Sequence, residues 1–87
     1  MAYELVLTPR SKREFDRVPR DLFHRIDAAI RALPHNPRPI GVKKLEDDLH
    51  RIRVGDWRVQ YLIHDKEQRV VIIRVVRRSE KTYRNLS

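Results

Sequence analysis

The stretch 50–63, HRIRVGDWRVQYLI, constrains the fold most, because it reads as two strands joined by a tight turn. Arginine alternates with apolar residues on both sides of a Gly-Asp pair. Successive side chains of a strand point to opposite faces, so Arg51, Arg53 and Arg58 should share one face of the hairpin. The pattern therefore predicts a core on one face and three guanidinium groups on the other.

The segments around this hairpin predict an α+β domain. A short β-prone run comes first, and Thr8-Pro9 then provides a cap and a first residue for a helix. The second helix has apolar residues at helical spacing, and a proline-rich linker ends it. We expect strands over 3–7, 49–54, 57–64 and 68–77, and helices over 9–17 and about 19–33. With 87 residues the chain predicts one domain, 1–87, in the order β-α-α-β-β-β: an antiparallel sheet of about four strands on an αα-hairpin.

The strand 68–77 is apolar on both faces, which predicts a central position covered on both sides. The helical hairpin supplies one cover. The other cover is missing from these elements, so we expect either a bound partner or the C-terminal tail, in which Ser79 could cap a short helix.

The charge points to a polyanionic partner. Lys and Arg number 20 against 12 Asp and Glu, a net charge of +8, and nucleic acid is the simplest partner for such an excess. The chain has no cysteine, which favours a reducing compartment. It shows neither a signal-peptide pattern nor an apolar run of membrane-spanning length, so we expect no membrane association and a cytoplasmic location.

Each candidate residue also has an ordinary structural interpretation. Alternating arginines can be a solvated face that blocks edge pairing. His50 precedes Arg51 on the hairpin, although a lone histidine on a strand is usually structural. Tyr61 falls in the apolar set, so we expect it to pack in the core. Tyr83 lies in a polar tail and has no evident core role. The acidic run 46–48 reads as solvated, because three successive residues before a strand cannot all face one ion.

Two segments, KKL-x(4)-HRIRVGDWRVQY and VVRRSEKTY, give the chain a resemblance to a known family. Together with the order of elements they resemble the RelE/ParE toxins of bacterial and archaeal toxin–antitoxin modules, over essentially the whole chain. The populated basic face looks closer to RelE than to ParE. The resemblance implies the α+β fold and a ribosome-dependent mRNA endonuclease that uses the 2′-OH as internal nucleophile, with no metal and no cofactor.

The resemblance also implies the site. It assigns the catalytic set to Arg51, Arg53, Arg58, Arg77 and Tyr83. Other basic residues are expected to bind RNA phosphates: Lys43, Lys44, Arg78, Lys81 and Arg84. One departure matters: the family's best-studied type has lysines at the two hairpin positions, one of them proposed as the general base, and arginine stays protonated. The base is therefore open among His50, Tyr83 and Lys44, unless charge stabilisation carries most of the rate.

The same resemblance implies the partners: the ribosome and mRNA, a cognate RelB-like antitoxin, and operator DNA reached through the toxin–antitoxin complex. An acidic, partly disordered antitoxin would supply the missing cover of the sheet. Two alternatives stay open. One is a ParE-like inhibitor of DNA gyrase, and the other is a basic nucleic-acid-binding module without catalysis.

Overall fold

A five-stranded sheet with two helices against one face forms the protein in the computed structural model, which describes residues 2–78. The helices and strands predicted between residues 3 and 77 are all present, with bounds that differ by a few residues at most. In chain order they are β1 (Glu4–Leu7), α1 (Pro9–Asp16), α2 (Arg20–Ala32), β2 (Lys43–Lys44), β3 (Leu49–Val54), β4 (Trp57–His64) and β5 (Arg69–Arg77).

Local sequence sets the ends of both helices. The Thr8 side chain accepts a hydrogen bond from the Ser11 backbone N–H at 3.1 Å, and Pro9 follows at the first helical position of α1. Pro19 separates the helices, and α2 begins at the next residue. The rings of Phe15 and Phe23 stack with centroids 4.6 Å apart, so the two helices hold each other as an αα-hairpin.

The sheet has the order β1-β5-β4-β3-β2. It is mostly antiparallel, which confirms the expected fold class, but two details differ from the expectation of about four antiparallel strands. Lys43–Lys44 forms a fifth, two-residue strand against β3, and β1 runs parallel to β5. A parallel pair requires a crossover between its strands, and the rest of the domain provides that crossover here.

The core lies between α2 and one face of the sheet. Ile26, Ile30 and Leu33 of the helical hairpin are buried against Val59 and Ile72 of the two central strands. Apolar residues at period two on the strands meet apolar residues at helical spacing on α2, as the sequence pattern predicted. The face with these residues is called the covered face, and the opposite one the open face.

Strand β5 is central, between β1 and β4, as expected. Val70, Ile72 and Val75 are buried on the covered face, whereas Val71 and Val76 are only half-buried on the open face. The expected second cover is therefore absent from residues 2–78, and the proposed C-terminal helix lies outside the described residues. No helix among residues 2–78 is long and apolar enough to cross a membrane.

Candidate nucleic-acid-binding site

The hairpin places its arginines together on the open face. Arg53 lies directly opposite Arg58 in the β3–β4 register, and Arg51 lies opposite Gln60 on the same face. Lys43 on β2 pairs with Arg51 and adds a fourth cation at the edge of the sheet. Opposed positions in a sheet have Cβ atoms about 5 Å apart, so these cations form one continuous basic patch. The predicted shared face of Arg51, Arg53 and Arg58 is thus present.

Burial differs among these arginines. Arg51 and Arg58 are half-buried with buried Nε atoms, and Arg53 is exposed. Because Nε belongs to the guanidinium group, part of that group is buried in both Arg51 and Arg58. Planar guanidinium groups suit bidentate contacts to phosphate oxygens, and two strands hold them more rigidly than a loop would.

Arg78 joins this patch at the end of the sheet. Its backbone N–H donates to the Asp56 carbonyl oxygen at 2.6 Å, which fixes the chain beside the β3–β4 turn. A small cavity of about 30 Å³ there is lined by Arg53, Arg58 and Arg78 together with the turn and Trp57. We call it the arginine pocket. Its lining contains three arginine side chains and one acidic residue, Asp56.

Arg77 lies on the other face. It is paired with Trp57, whereas Arg58 is paired with Val76. The cause is a bulge: Gln60 faces Arg74 and Tyr61 faces Ile72, so Ile73 is an extra residue and the alternation of β5 reverses after it. Simple alternation would have placed Arg77 with Arg58. The structure therefore brings Arg78, and not Arg77, to the arginines of the hairpin.

The side chain of Arg77 lines a larger groove at the same end of the molecule. This groove has a volume of about 410 Å³ and lies between the start of α2 and the β3–β4 turn. Trp57, Leu22 and Arg25 also line it. We call it the Trp57 groove. No local residue pattern predicts this groove, because α2 and the hairpin are distant in the chain.

His50 is buried in the core. It is 4% exposed, lies on the covered face, and stacks on Tyr61 with centroids 6.0 Å apart. Its Nδ1 atom lies 2.9 Å from the Asp48 carbonyl oxygen. His50 therefore does not meet Arg51 and Arg53, and a role as general base on the open face has no support in this geometry.

Tyr61 packs in the core, as predicted. Its ring is fully buried, and its hydroxyl donates to the Pro37 carbonyl oxygen at 2.6 Å. Burial raises the pKa of Tyr61 to about 12, and Arg38 opposes that shift by its charge. The proline-rich linker is thereby attached to the centre of the sheet.

A second contact secures the same linker at the surface. Arg38 binds Asp65 with both terminal nitrogens, at 3.3 and 2.9 Å, and the Tyr3 hydroxyl donates to Asp65 at 2.6 Å. The hydrogen bond from Arg38 is the largest cause that holds the pKa of Asp65 below its ordinary value, and the bond from Tyr3 is the next. This cluster supports the fold and lies away from the arginine pocket.

The remaining candidates divide into two groups. Lys44 is exposed and pairs with His50, so the register places it on the other side of β2 from Lys43. Tyr83, Lys81 and Arg84 lie outside the described residues.

The acidic run 46–48 is exposed as predicted, and residues 2–78 contain no cluster of three or more acidic or histidine side chains suited to a metal.

Comparison with known proteins identifies a family. Residues 5–82 match the model of the ParE toxin of the type II toxin–antitoxin system parDE. The toxin RelE of Mycobacterium tuberculosis is 36% identical over 81 residues, which cover 88% of this chain and 82% of that protein.

Solved structures agree with the sequence match. The archaeal RelE–RelB complex from Pyrococcus horikoshii superposes with a TM-score of 0.83 at 26% identity, covering 92% of this chain and 99% of that one. The isolated E. coli RelE toxin gives a TM-score of 0.78 at 21% identity, covering 98% of this chain and 96% of that one, and shows the shared fold.

Proposed function

Since this chain belongs to the RelE/ParE toxin family of type II toxin–antitoxin systems, we propose that it is a toxin that cuts mRNA on the ribosome. The observation that carries the proposal is the arrangement of Arg53 and Arg58 opposite each other on the open face, with Arg51 beside them. Arg78 extends the patch at the end of the sheet. This is a rigid arrangement of planar donors suited to an RNA phosphate.

The proposed reaction is an internal transfer at phosphorus. The 2′-oxygen loses its proton and bonds to the adjacent phosphorus, and the bond from phosphorus to the 5′-oxygen breaks as that oxygen gains a proton. The products are a 2′,3′-cyclic phosphate and a 5′-hydroxyl. Negative charge builds on the equatorial oxygens in between, and preorganised guanidinium groups of Arg53 and Arg58 would stabilise it.

Electrostatic stabilisation carries most of the rate in this proposal. The arginines stay protonated and cannot take the proton of the 2′-hydroxyl. His50 is buried on the covered face, away from the basic patch. Among residues 2–78, the lysine in the basic patch is Lys43, which pairs with Arg51. Lys43 is therefore a better candidate for the proton acceptor than Lys44, and Tyr83 of the tail remains the alternative.

The open face also supports the proposal of an antitoxin partner. Leu62, Val71 and Val76 are half-buried apolar residues beside the arginines, so the surface combines apolar and basic character. An acidic chain with apolar residues would match both properties and cover the phosphate site. Structural relatives were crystallised as RelE–RelB complexes, and we propose a RelB-like antitoxin here, with operator DNA bound through the complex.

Inhibition of DNA gyrase is the second candidate. The matching family model is the one for the ParE toxin, and the fold is common to both kinds of toxin. A gyrase inhibitor would not need the arginine patch as a phosphate site. Alanine at Arg53 or Arg58 would then leave the toxicity intact, and cells would show DNA damage in place of cut mRNA.

Primer extension on mRNA from cells that express the protein tests the proposal. We expect codon-phased cuts that require translation of the message. Arg53→Ala or Arg58→Ala should reduce cutting about 100-fold, because each removes one donor to the developing charge. Arg31→Ala is the matched control, since Arg31 is exposed on α2 and engaged with Asp27 at 3.0 Å.

The outcomes separate the candidates. Intact mRNA together with DNA damage would favour gyrase inhibition. Intact mRNA, undamaged DNA and salt-sensitive RNA binding would indicate a binding module without catalysis. Circular dichroism of each purified variant tests whether the variant has folded, because the antitoxin is proposed to contact the same arginines.

A further inference from the structure

The Trp57 groove is a surface feature that the proposed reaction does not use. Its walls come from the start of α2 and from the end of the β3–β4 hairpin. Its volume of about 410 Å³ falls in the range of sites for small organic groups, roughly 300–1,000 Å³. Trp57 supplies an aromatic wall, and Leu22 supplies an aliphatic one.

The groove and the arginine pocket meet at the turn. Gly55, Asp56 and Trp57 line both of them, so the two cavities are contiguous around the end of the hairpin. Gly55 has a positive φ of +59°, a conformation that glycine adopts without strain, and the guanidinium group of Arg25 lies next to it. A ligand can lie across the turn with one part in each cavity.

The two cavities differ in charge. Three arginines against Asp56 give the arginine pocket a lining of +2. Arg25 and Arg77 are balanced by Asp21 and Asp56 in the Trp57 groove, so that its lining is neutral. An anionic group therefore prefers the arginine pocket, and the groove suits an uncharged planar group next to it.

We propose that the Trp57 groove binds the base of an unpaired RNA nucleotide whose phosphate lies in the arginine pocket. The inference rests on the proposed function, because it takes the ligand of the arginine patch to be single-stranded RNA. Aromatic side chains beside a basic groove are the usual means of holding unpaired bases, since every base has a π-face. Arg25 and Arg77 would hold the edges of the base or the next phosphate.

Fluorescence of Trp57 measures this contact directly, because Trp57 is the one tryptophan in the sequence. The full-length toxin, separated from its antitoxin, is titrated with 2′-O-methyl RNA hexamers, which lack the hydroxyl needed for cleavage. In a companion set, one base at a time is removed while the phosphates are kept. We expect the complete hexamer to quench Trp57, and removal of the base at one position to abolish quenching and weaken binding about tenfold.

Variants on α2 distinguish the groove from general charge. Arg25→Ala should weaken the base-dependent quenching, whereas Arg31→Ala, which removes the same charge from the same helix outside the groove, should not. Trp57→Phe keeps an aromatic ring, and its affinity, followed by anisotropy of a labelled hexamer, should stay closer to the unchanged protein than that of Trp57→Ala.

The results decide between the two proposals. Equal quenching by the complete hexamer and by every base-deleted strand would overturn the base-binding groove, as would equal effects of the Arg25 and Arg31 variants. Quenching by an acidic antitoxin peptide but not by RNA would assign the groove to a protein partner and overturn the proposal as well. Base-dependent quenching without any cutting of mRNA would leave the groove in place and refute only the endonuclease.

Discussion

Tyr61 shows how one core residue also holds a loop. Its ring is fully buried on the covered face, and its hydroxyl donates to Pro37 of the linker between α2 and β2. A buried phenol can exist there only in its neutral form at moderate pH, because ionisation would place a charge in the core. Tyr61 thus makes stability depend on pH at the alkaline end.

Replacement of Tyr61 by phenylalanine should have opposite effects at neutral and at alkaline pH. At pH 7 the lost hydrogen bond should cost about 1 kcal/mol of unfolding free energy. The pKa of Tyr61 is raised from 10.0 in the unfolded chain to about 12 in the folded one, so its contribution is complete below pH 10 and is lost as the pH rises towards 12. The unchanged protein should lose about 2 kcal/mol over that interval, and Tyr61→Phe should escape this loss.

Urea denaturation at a series of pH values measures this effect. The difference between the two proteins should narrow above pH 10 and then reverse. A difference that stays constant from pH 7 to pH 12 would contradict the assignment. The raised pKa of Tyr3 affects both proteins equally and therefore cancels in the comparison.

The face of the sheet on which an arginine lies could be predicted from the sequence for some arginines and not for others. Arg51, Arg53 and Arg58 could be assigned to one face because a two-residue turn fixes the register of the hairpin. Arg77 and Arg78 could not, because the bulge at Ile73 depends on the pairing of β4 with β5 and leaves no local pattern. The burial of His50 follows from the same alternation that placed the arginines, and counting along β3 would have predicted it.

At the scale of elements, Glu14 connects α1 to the part of β5 that extends beyond its pairing with β1. Strand β1 ends its pairing where the Thr8 N–H donates to the Ile72 carbonyl, and β5 continues beyond it. The Glu14 carboxylate then accepts from the Val75 N–H at 2.9 Å and from Arg74 Nε at 3.0 Å. A helix side chain thereby takes the place that a longer β1 would have occupied.

Glu14→Ala should destabilise the protein by about 2–3 kcal/mol, because a partly buried N–H and a guanidinium both lose a charged acceptor. Glu14→Gln keeps an acceptor oxygen and should cost less. Asp16→Ala on the same helix is the control, since Asp16 is exposed. The free energy of unfolding from urea titrations gives all three values, and equal values for Glu14→Ala and Asp16→Ala would refute this role.

The elements were predictable to a large extent, for physical reasons. Helix caps, proline breaks and periods of two or 3.6 residues are local, and they fixed α1, α2, β3, β4 and β5 to within a few residues. The parallel pairing of β1 and the two-residue strand Lys43–Lys44 depend on partners that are remote in sequence. The Trp57 groove depends on the same long-range packing.

At the scale of the whole molecule, the net charge of +8 predicts that the proposed binding of RNA is sensitive to salt. If the basic patch as a whole neutralises about three phosphates of the bound strand, with Arg78 accounting for one of them, a plot of log affinity against log salt concentration should have a slope of about −2. Affinity should then drop about 20-fold between 50 and 200 mM salt.

Arg78→Ala should reduce that slope to about −1.4, and Arg31→Ala should leave it unchanged. Anisotropy of a labelled, uncleavable hexamer at several salt concentrations gives the slopes. Equal slopes for the two variants would remove Arg78 from the phosphate site.

During synthesis, the protein cannot complete its fold until β5 has left the ribosome. Every element that β5 contacts is translated before it, yet β5 lies between β1 and β4 and supplies Val70, Ile72 and Val75 to the core. Until it leaves the ribosome, β1 has no neighbouring strand, and the apolar side of the helical hairpin is only partly covered. The nascent chain therefore lacks the assembled five-stranded sheet until β5 is free to pair with β1 and β4.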